Sequence, residues 1–294
     1  MVNSKKFKRL IAFISAVCMT SVCMLSVSAD TIADSTQSIV QQDENVAIEN
    51  ELFNLGFSQD EVNLIIENVD SETIQSVLNY TGTEKYDSGI STYADYDTAY
   101  HLQDSNGKNI STYTNVKGYN TEGTCASLAS AIMFKYYKDY KGYNIPNCTT
   151  ANFKNFYYSI MPYVEVGTSR STQFSLIKSG LADFCNDNNI SLKPCDIIYE
   201  ANNSTVSIRK IILLCITYLR VSEPIMVTGS YSTTGGHAVV IQGMVVHKNI
   251  NGDVIGATIE VNNGWGAVDK LDLEEFLTKN VKLAQKGTGI VYFL

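Results

Sequence analysis

The stretch "GGHAVVIQGM" (residues 235–244) decides the fold. Two glycines precede a histidine, and the apolar, β-branched run that follows is typical of a buried strand. Asn251-Gly252, after this strand, is a typical hairpin turn. The same apolar, β-branched character predicts three further strands, at 224–230, 254–262 and 289–294. We therefore predict an antiparallel sheet in the C-terminal half of the chain.

Helices are predicted before and between these strands. The segment "CASLASAIMFKYYKDY" (125–140) has the strongest helical pattern, and 171–187 and 206–219 are predicted to be helical as well. A chain with helices first and an antiparallel sheet afterwards belongs to the α+β class.

The first 29 residues have the features of an export signal. A basic start, Lys5 to Arg9, precedes an apolar stretch, and Val27-Ser28-Ala29 offers the small residues that signal peptidase accepts. A retained membrane anchor is the alternative. We predict a secreted protein that has no membrane contact once residues 1–29 are removed.

The formal net charge of −8 is unevenly distributed. Residues 1–29 carry four basic and no acidic residues, residues 30–90 carry thirteen acidic residues and one lysine, and the remainder is neutral. This distribution argues against nucleic acid as a partner.

The acidic segment is predicted to contain short helices. Ser58 and Glu61 fit a capping box, and an apolar rhythm follows them. Residues 81–112 lack periodicity and are predicted to form a linker. We therefore divide the mature chain into an acidic helical propeptide or accessory segment, 30–92, and a main domain, 93–294. A simple helical spacer is the alternative for 30–92.

Cys125 is the cysteine best placed for chemistry. It follows Gly123-Thr124 at the first turn of a helix, where the helix N-terminus favours a thiolate and where main-chain N–H groups can hold an oxyanion. An ordinary buried cysteine is the alternative, and it is our interpretation of Cys148, Cys185, Cys195 and Cys215. No Cys/His spacing suits zinc, so we predict no metal site.

His237 and Asn262 complete a candidate constellation. Counted from the hairpin turn, both lie at the same end of the hairpin, so an asparagine oxygen could hold one ring nitrogen while the other serves Cys125. Trp265 could shield that bond from water. His101 and His247 lack such surroundings and are predicted to be solvated loop residues.

The order Cys…His…Asn, with Asn-x-x-Trp-Gly after the histidine strand, resembles the papain-like cysteine peptidases, and within them the streptopain-type secreted bacterial proteases. The resemblance covers about residues 125–273. It implies a two-lobed fold, in which a helical N-terminal lobe carries the nucleophile helix and the C-terminal lobe is an antiparallel sheet. It also implies synthesis as a zymogen, with Cys125 as nucleophile, His237 as general base and acid, Asn262 as the residue that orients His237, and no cofactor.

The sequence departs from the family pattern at two places. The family has an oxyanion-hole glutamine where this chain has Tyr119, and Asn120 could take that role. The family also has tryptophan where this chain has Asn263, so an alternative register makes Asn263 the orienting residue. A disulfide between Cys185 and Cys195 is a further open possibility.

The resemblance predicts a secreted bacterial cysteine endopeptidase that acts on proteins or peptides and is inhibited intramolecularly by residues 30–92. Two alternatives stay open. One is a papain-like amidase or leader-processing peptidase that acts on peptidoglycan or peptide precursors. The other is a catalytically inactive secreted binding protein.

Overall fold

The long strand that begins at His237 is the centre of one antiparallel sheet in the computed structural model. The structure describes residues 45–82, 97–120, 123–165, 173–230, 235–279 and 288–294. The chain divides into two units, Met1–Ala47 and Ile48–Leu294. Of the first unit only residues 45–47 are described, and they are helical.

The helices of the second unit begin with a helical stretch that ends at residue 54. The helices that follow are α1 (Gln59–Asn68), α2 (Ser71–Leu78), α3 (Cys125–Lys141), α4 (Phe153–Val164), α5 (Phe174–Asp187), α6 (Ser204–Arg220) and α7 (Leu273–Thr278). Local sequence explains their ends. Ser58 and Glu61 form the predicted capping box of α1, Asp70 caps α2 through the N–H of Thr73, and Gly142 ends α3 in a left-handed conformation.

The described strands are β1 (Thr98–His101), β2 (Pro194–Tyr199), β3 (Ile225–Gly229), β4 (His237–Lys248), β5 (Val254–Asn262), β6 (Val268–Asp272) and β7 (Thr288–Phe293). Their order in the sheet is β2-β7-β3-β4-β5-β6, with β1 also paired to β4. All pairs are antiparallel. Strand β4 pairs with β3, β1 and β5, and His237 at its start pairs with Gly229 of β3.

The two faces of the sheet carry separate apolar cores. Met226, Ala238 and Val240 point to the face covered by α3, α4 and α5. Val227 and Val239 point to the other face, which is covered by α6, α7 and the helices of residues 48–78. This alternation along β3 and β4 is the period-two pattern of a strand buried on both sides.

The prediction of an α+β protein is confirmed, and the predicted helices and strands lie within a few residues of the observed bounds. The linker predicted over 81–112 is wrong in part, because β1 lies within it and pairs with β4. The interpretation of His101 and His247 as loop residues is also wrong. His101 lies in β1 and His247 in β4, where Asp97 Oδ2 contacts its Nδ1 at 3.0 Å.

The cysteines of the described residues are free thiols. A Cys185–Cys195 disulfide is not formed. The physical reason is that Cys185, on α5, lies in the core under α3, whereas Cys195, on β2, packs against the core on the other face of the sheet. Within the described ranges, no helix has the length and apolar character needed to cross a membrane. The predicted signal, residues 1–29, lies outside those ranges.

Candidate active site

Cys125 is the first residue of α3, and it meets the sheet where β4 begins. Helix α3 packs against β4, and the main-chain N–H groups of Ala238 and Ala126 lie at the Cys125 thiol. Burial raises the pKa of the Cys125 thiol, these N–H groups oppose the rise, and the Glu165 carboxylate adds to it. The prediction that the helix N-terminus lowers this pKa is therefore wrong in net direction, because burial outweighs the dipole.

Glu165 is anchored close to Cys125. It follows the last residue of α4, and its Oε1 accepts a hydrogen bond of 2.8 Å from the hydroxyl of Ser127, in the first turn of α3. Ser127 itself is fully buried. The start of α3 is thus tied to the end of α4 by a charged group that disfavours the thiolate of Cys125.

His237 is 8% exposed, and its ring is held from two directions. Its Nε2 lies 2.8 Å from the main-chain carbonyl oxygen of Asn263. A carbonyl only accepts, so Nε2 carries the hydrogen and Nδ1 of the neutral ring is the acceptor nitrogen. Trp265 stacks on the ring with 4.2 Å between centroids and 6° between planes. This stacking agrees with the predicted shielding.

The environment of His237 keeps its imidazole neutral. Burial lowers the pKa of His237, while the Asn263 carbonyl and the Asp269 carboxylate oppose the decrease. Cys125 and His237 are therefore a neutral thiol and a neutral imidazole at rest.

Asn262 does not hold the His237 ring. Its fully buried side chain donates to Thr112 Oγ1 at 3.0 Å and to the carbonyl of Tyr113 at 2.9 Å, and it accepts from Gly264 N–H at 3.1 Å. Asn262 is the last residue of β5, and its amide points to the chain before α3. The contact with the His237 ring that was predicted for the Asn262 side chain is thus made by the main-chain carbonyl of Asn263.

The Asn263 side chain does not reach His237 either. Its Oδ1 accepts from the N–H groups of Trp265 at 2.8 Å and Ala267 at 3.2 Å, and its Nδ2 donates to Asp269 Oδ2 at 2.9 Å. These bonds fix the loop that presents both the Asn263 carbonyl and the Trp265 ring. The alternative prediction, in which Asn263 orients His237, therefore identified the right residue. It named the wrong group, because the main-chain carbonyl of Asn263 and not its side chain contacts the ring.

A buried amide network supports Asn262 and was missed at the sequence level. Gln242 Oε1 accepts from the N–H of Thr112 at 3.1 Å and from its hydroxyl at 3.0 Å. Gln242 Nε2 donates to Glu260 Oε1 at 3.3 Å. The β4–β5 register shifts between Ile241 and Gly243, so Gln242 lies at an irregularity of the ladder. The available signal was a lone amide within the apolar strand "HAVVIQGMVV".

Asn120 lies beside the loop that follows Asn262. A Cβ placed on Gly264 would come within 3.2 Å of Asn120 Nδ2 and 3.6 Å of Leu128 Cδ2, so glycine is needed for this close approach. Gly264 also has a φ of 74°, in the left-handed region. Within the described chain, the buried Nδ2 of Asn120 has no hydrogen-bond partner. A buried unpaired donor is rare and costly, so it marks a position where a ligand acceptor would be stabilised.

The comparisons add no relative. The chain matches no protein-family model, no curated protein and no solved structure. Among the described residues, no group of three or more acidic, cysteine or histidine side chains could hold a metal ion.

Proposed function

We propose that the protein is a secreted cysteine peptidase of the papain-like type, in which Cys125 is the nucleophile and His237 the general base and acid. The observation that carries the proposal is the contact of the Cys125 thiol with the N–H of Ala238, the residue after a histidine whose Nδ1 is the acceptor nitrogen. A two-lobed papain-like arrangement, with the α3–α5 helices as one lobe and the sheet as the other, is part of the same proposal.

The proposed reaction uses the neutral pair. Nδ1 of His237 takes the thiol proton as Cys125 Sγ attacks the carbonyl carbon of a peptide bond. The oxyanion accepts hydrogen bonds from the Cys125 main-chain N–H and from Asn120 Nδ2. His237 then donates the proton to the departing amine, and water hydrolyses the thioester with His237 again as base. The Asn263 carbonyl keeps the hydrogen on Nε2 throughout.

This mechanism gives Asn262 a role different from the predicted one. Its amide joins Thr112 and Tyr113 to the Gly264 loop. We assign it the positioning of the chain segment that carries Asn120, relative to the loop that holds His237. In this proposal the buried side chain of Asn262 connects the segment that carries the oxyanion donor, Asn120, with the loop that holds the base, His237.

Export is proposed from residues 1–29. Intramolecular inhibition by residues 30–92 has less support. Of their described part, 45–82, residues 48–82 pack in the core on the sheet face away from α3, and the hydrogen bonds and ion pairs identified for them do not include Cys125, His237 or Asn120.

The test is casein hydrolysis by the chain lacking residues 1–29. We expect cleavage that is abolished in Cys125→Ala and His237→Ala and reduced by about 100- to 1000-fold in Asn120→Ala, the usual cost of one oxyanion donor. The matched controls are Cys195→Ser and His101→Gln, which change residues away from the site and should retain activity. Cleavage that survives in Cys125→Ala would exclude the proposal.

A binding protein without catalysis is the second candidate. The burial that raises the pKa of Cys125 and lowers that of His237 favours it. Labelling by a peptidyl epoxide separates the two, because this probe needs an acid–base partner for ring opening. Labelling of Cys125 that requires His237 supports the peptidase. Equal and slow labelling in wild type and His237→Ala supports the binding protein. If labelling requires His237 but casein stays intact, cleavage of muropeptides would identify the amidase alternative.

A further inference from the structure

Residues 48–82, called here the N-terminal segment, are built into the second apolar core. Leu52, Val62, Ile65 and Val77 are fully buried. They belong to one cluster with side chains of α6 and of the sheet strands, and both α1 and α2 contact α6. Side chains buried to this extent belong to a domain core rather than to a cover resting on a surface.

Polar contacts fix the same segment at separate places in the chain. They reach α6, the β4–β5 turn, α7 and β7. The bonds are Arg209 Nε to the Tyr80 carbonyl (2.7 Å), Arg220 to Asp70 (3.2 Å), Ser76 hydroxyl to the Gly252 carbonyl (2.6 Å), Val254 N–H to Ser76 Oγ (3.0 Å), Tyr80 hydroxyl to Glu274 (2.8 Å) and Tyr292 hydroxyl to Glu61.

Two of these contacts involve buried groups of the rest of the domain. Tyr292 is 2% exposed, and its hydroxyl donates to Glu61, the residue that also closes the capping box of α1. The N–H of Val254 is buried and donates to Ser76. Departure of the segment would remove these partners and expose the apolar face of α6 to water.

We infer that the N-terminal segment is a permanent part of the folded protein rather than a removable propeptide. The outer face of α6 and the adjoining sheet form an interaction surface whose partner is this chain's own residues 48–82. A cut between residues 82 and 97 would yield two chains that stay together. The inference depends on packing and is independent of the catalytic proposal.

The experiment introduces one cleavage site and follows the pieces. Residues 86–93 are replaced by the recognition sequence of a sequence-specific protease, and the purified full chain is cut to completion. We expect both pieces to elute together in equal amounts from a size-exclusion column, at the volume of the uncut protein, and to separate only in denaturant. Elution of the N-terminal piece alone from a larger piece that stays folded would overturn the inference.

A matched pair of variants checks that the buried face holds the pieces together. In the cut protein, Ile65→Asp places a charge in the core and should release the N-terminal piece, whereas Glu67→Gln, exposed on the same helix, should not. If Ile65→Asp prevents folding of the uncut chain, the milder Ile65→Ala replaces it, and the N-terminal piece should then dissociate at a lower denaturant concentration than in the cut wild type. Retention of the piece in a folded, cut Ile65→Asp protein would contradict it.

Discussion

The chemistry of His237 is set by a main-chain oxygen. A side-chain amide can rotate and present either its oxygen or its nitrogen to a ring, but a carbonyl in a fixed loop offers only an acceptor. The Asn263 carbonyl therefore selects one tautomer of His237 without a second titratable or rotatable group. The asparagine side chains next to it are used to hold the loop.

The lowered pKa of His237 predicts a loss of stability in acid. Below its ordinary value of 6.5 the unfolded chain takes up a proton that the folded protein resists. The free energy of unfolding should fall as the pH decreases from 6.5 through the lower value of the folded state. Melting temperatures of wild type and His237→Gln between pH 4 and 8 measure this effect, and the variant should have the shallower slope.

The control for the acid effect is Asn155→Ala, which changes an exposed, non-titrating residue of α4 and should keep the wild-type slope. Equal slopes for wild type and His237→Gln would show that His237 is not the responsible group.

Trp265 is 47% exposed, yet its ring lies flat on His237. Stacked aromatic pairs contribute about 0.5–1.5 kcal/mol beyond their burial. We expect Trp265→Ala to lower kcat/KM for a peptide substrate by up to about tenfold, since 1.4 kcal/mol corresponds to a factor of ten. Trp265→Phe, which keeps a flat ring, should recover most of the loss. An unchanged rate in Trp265→Ala would show that the stacking has no catalytic role.

At the scale of elements, the candidate site lies where α3 begins, where β4 begins and where β5 ends. Periodicity and turn signals predicted these three elements, and with them Cys125 and His237. The direction of the Asn262 side chain could not be predicted, because it depends on the chain at Thr112 and Tyr113, where the sequence has no periodicity.

Tertiary pairing also explains the other differences between prediction and structure. Strand β1 has four residues and becomes a strand by pairing with β4. Helix α4 contains Pro162 in its last turn, which weakens its helical signal, and it is stabilised by packing against α3 and α5. The core position of residues 48–82 could not be predicted from their acidic composition. The acidic residues lie mainly on the exposed faces of α1 and α2, and the composition gives no information on what the buried faces contact.

Asn262→Ala tests the connection between β5 and the chain before α3. The substitution removes a partner of the Tyr113 carbonyl and of the Gly264 N–H, while Thr112 keeps its bonds to Gln242, and we expect a loss of about 1–3 kcal/mol in unfolding free energy. Peptide hydrolysis should decrease more than alkylation of Cys125 by iodoacetamide, because only the former needs the oxyanion donor. Asn155→Ala, an exposed asparagine on α4, is the control and should change neither quantity. Equal decreases in both rates would contradict the positioning role.

At the scale of the whole molecule, one sheet separates two apolar cores that contain different parts of the chain. Cys125 packs against the core under α3, while the core under α6 includes the N-terminal segment. Since β4 contributes side chains to both, a change in either core reaches the strand that begins with His237. We therefore expect residues 48–294 to unfold as one cooperative unit.

Ile65→Ala measures this cooperativity. Removal of a fully buried isoleucine side chain should reduce the free energy of unfolding of the intact chain by about 2–5 kcal/mol. Urea unfolding can be followed by the fluorescence of Trp265. This residue lies next to His237, after β5, and so reports on a region of the sheet other than the one that Ile65 contacts. A lower urea midpoint of the Trp265 signal in Ile65→Ala supports a single cooperative unit. The control Glu67→Ala should leave that midpoint unchanged. A midpoint unchanged by Ile65→Ala would mean that the N-terminal segment unfolds separately.

The protonated resting state of Cys125 also bears on the lifetime of the protein. Peroxides oxidise thiolates far faster than thiols, and a thiol with a raised pKa has little thiolate at neutral pH. The burial that raises this pKa therefore also protects the sulfur from conversion to sulfenic and sulfinic acids. In the proposed peptidase, a nucleophile of this kind would resist oxidation between turnovers.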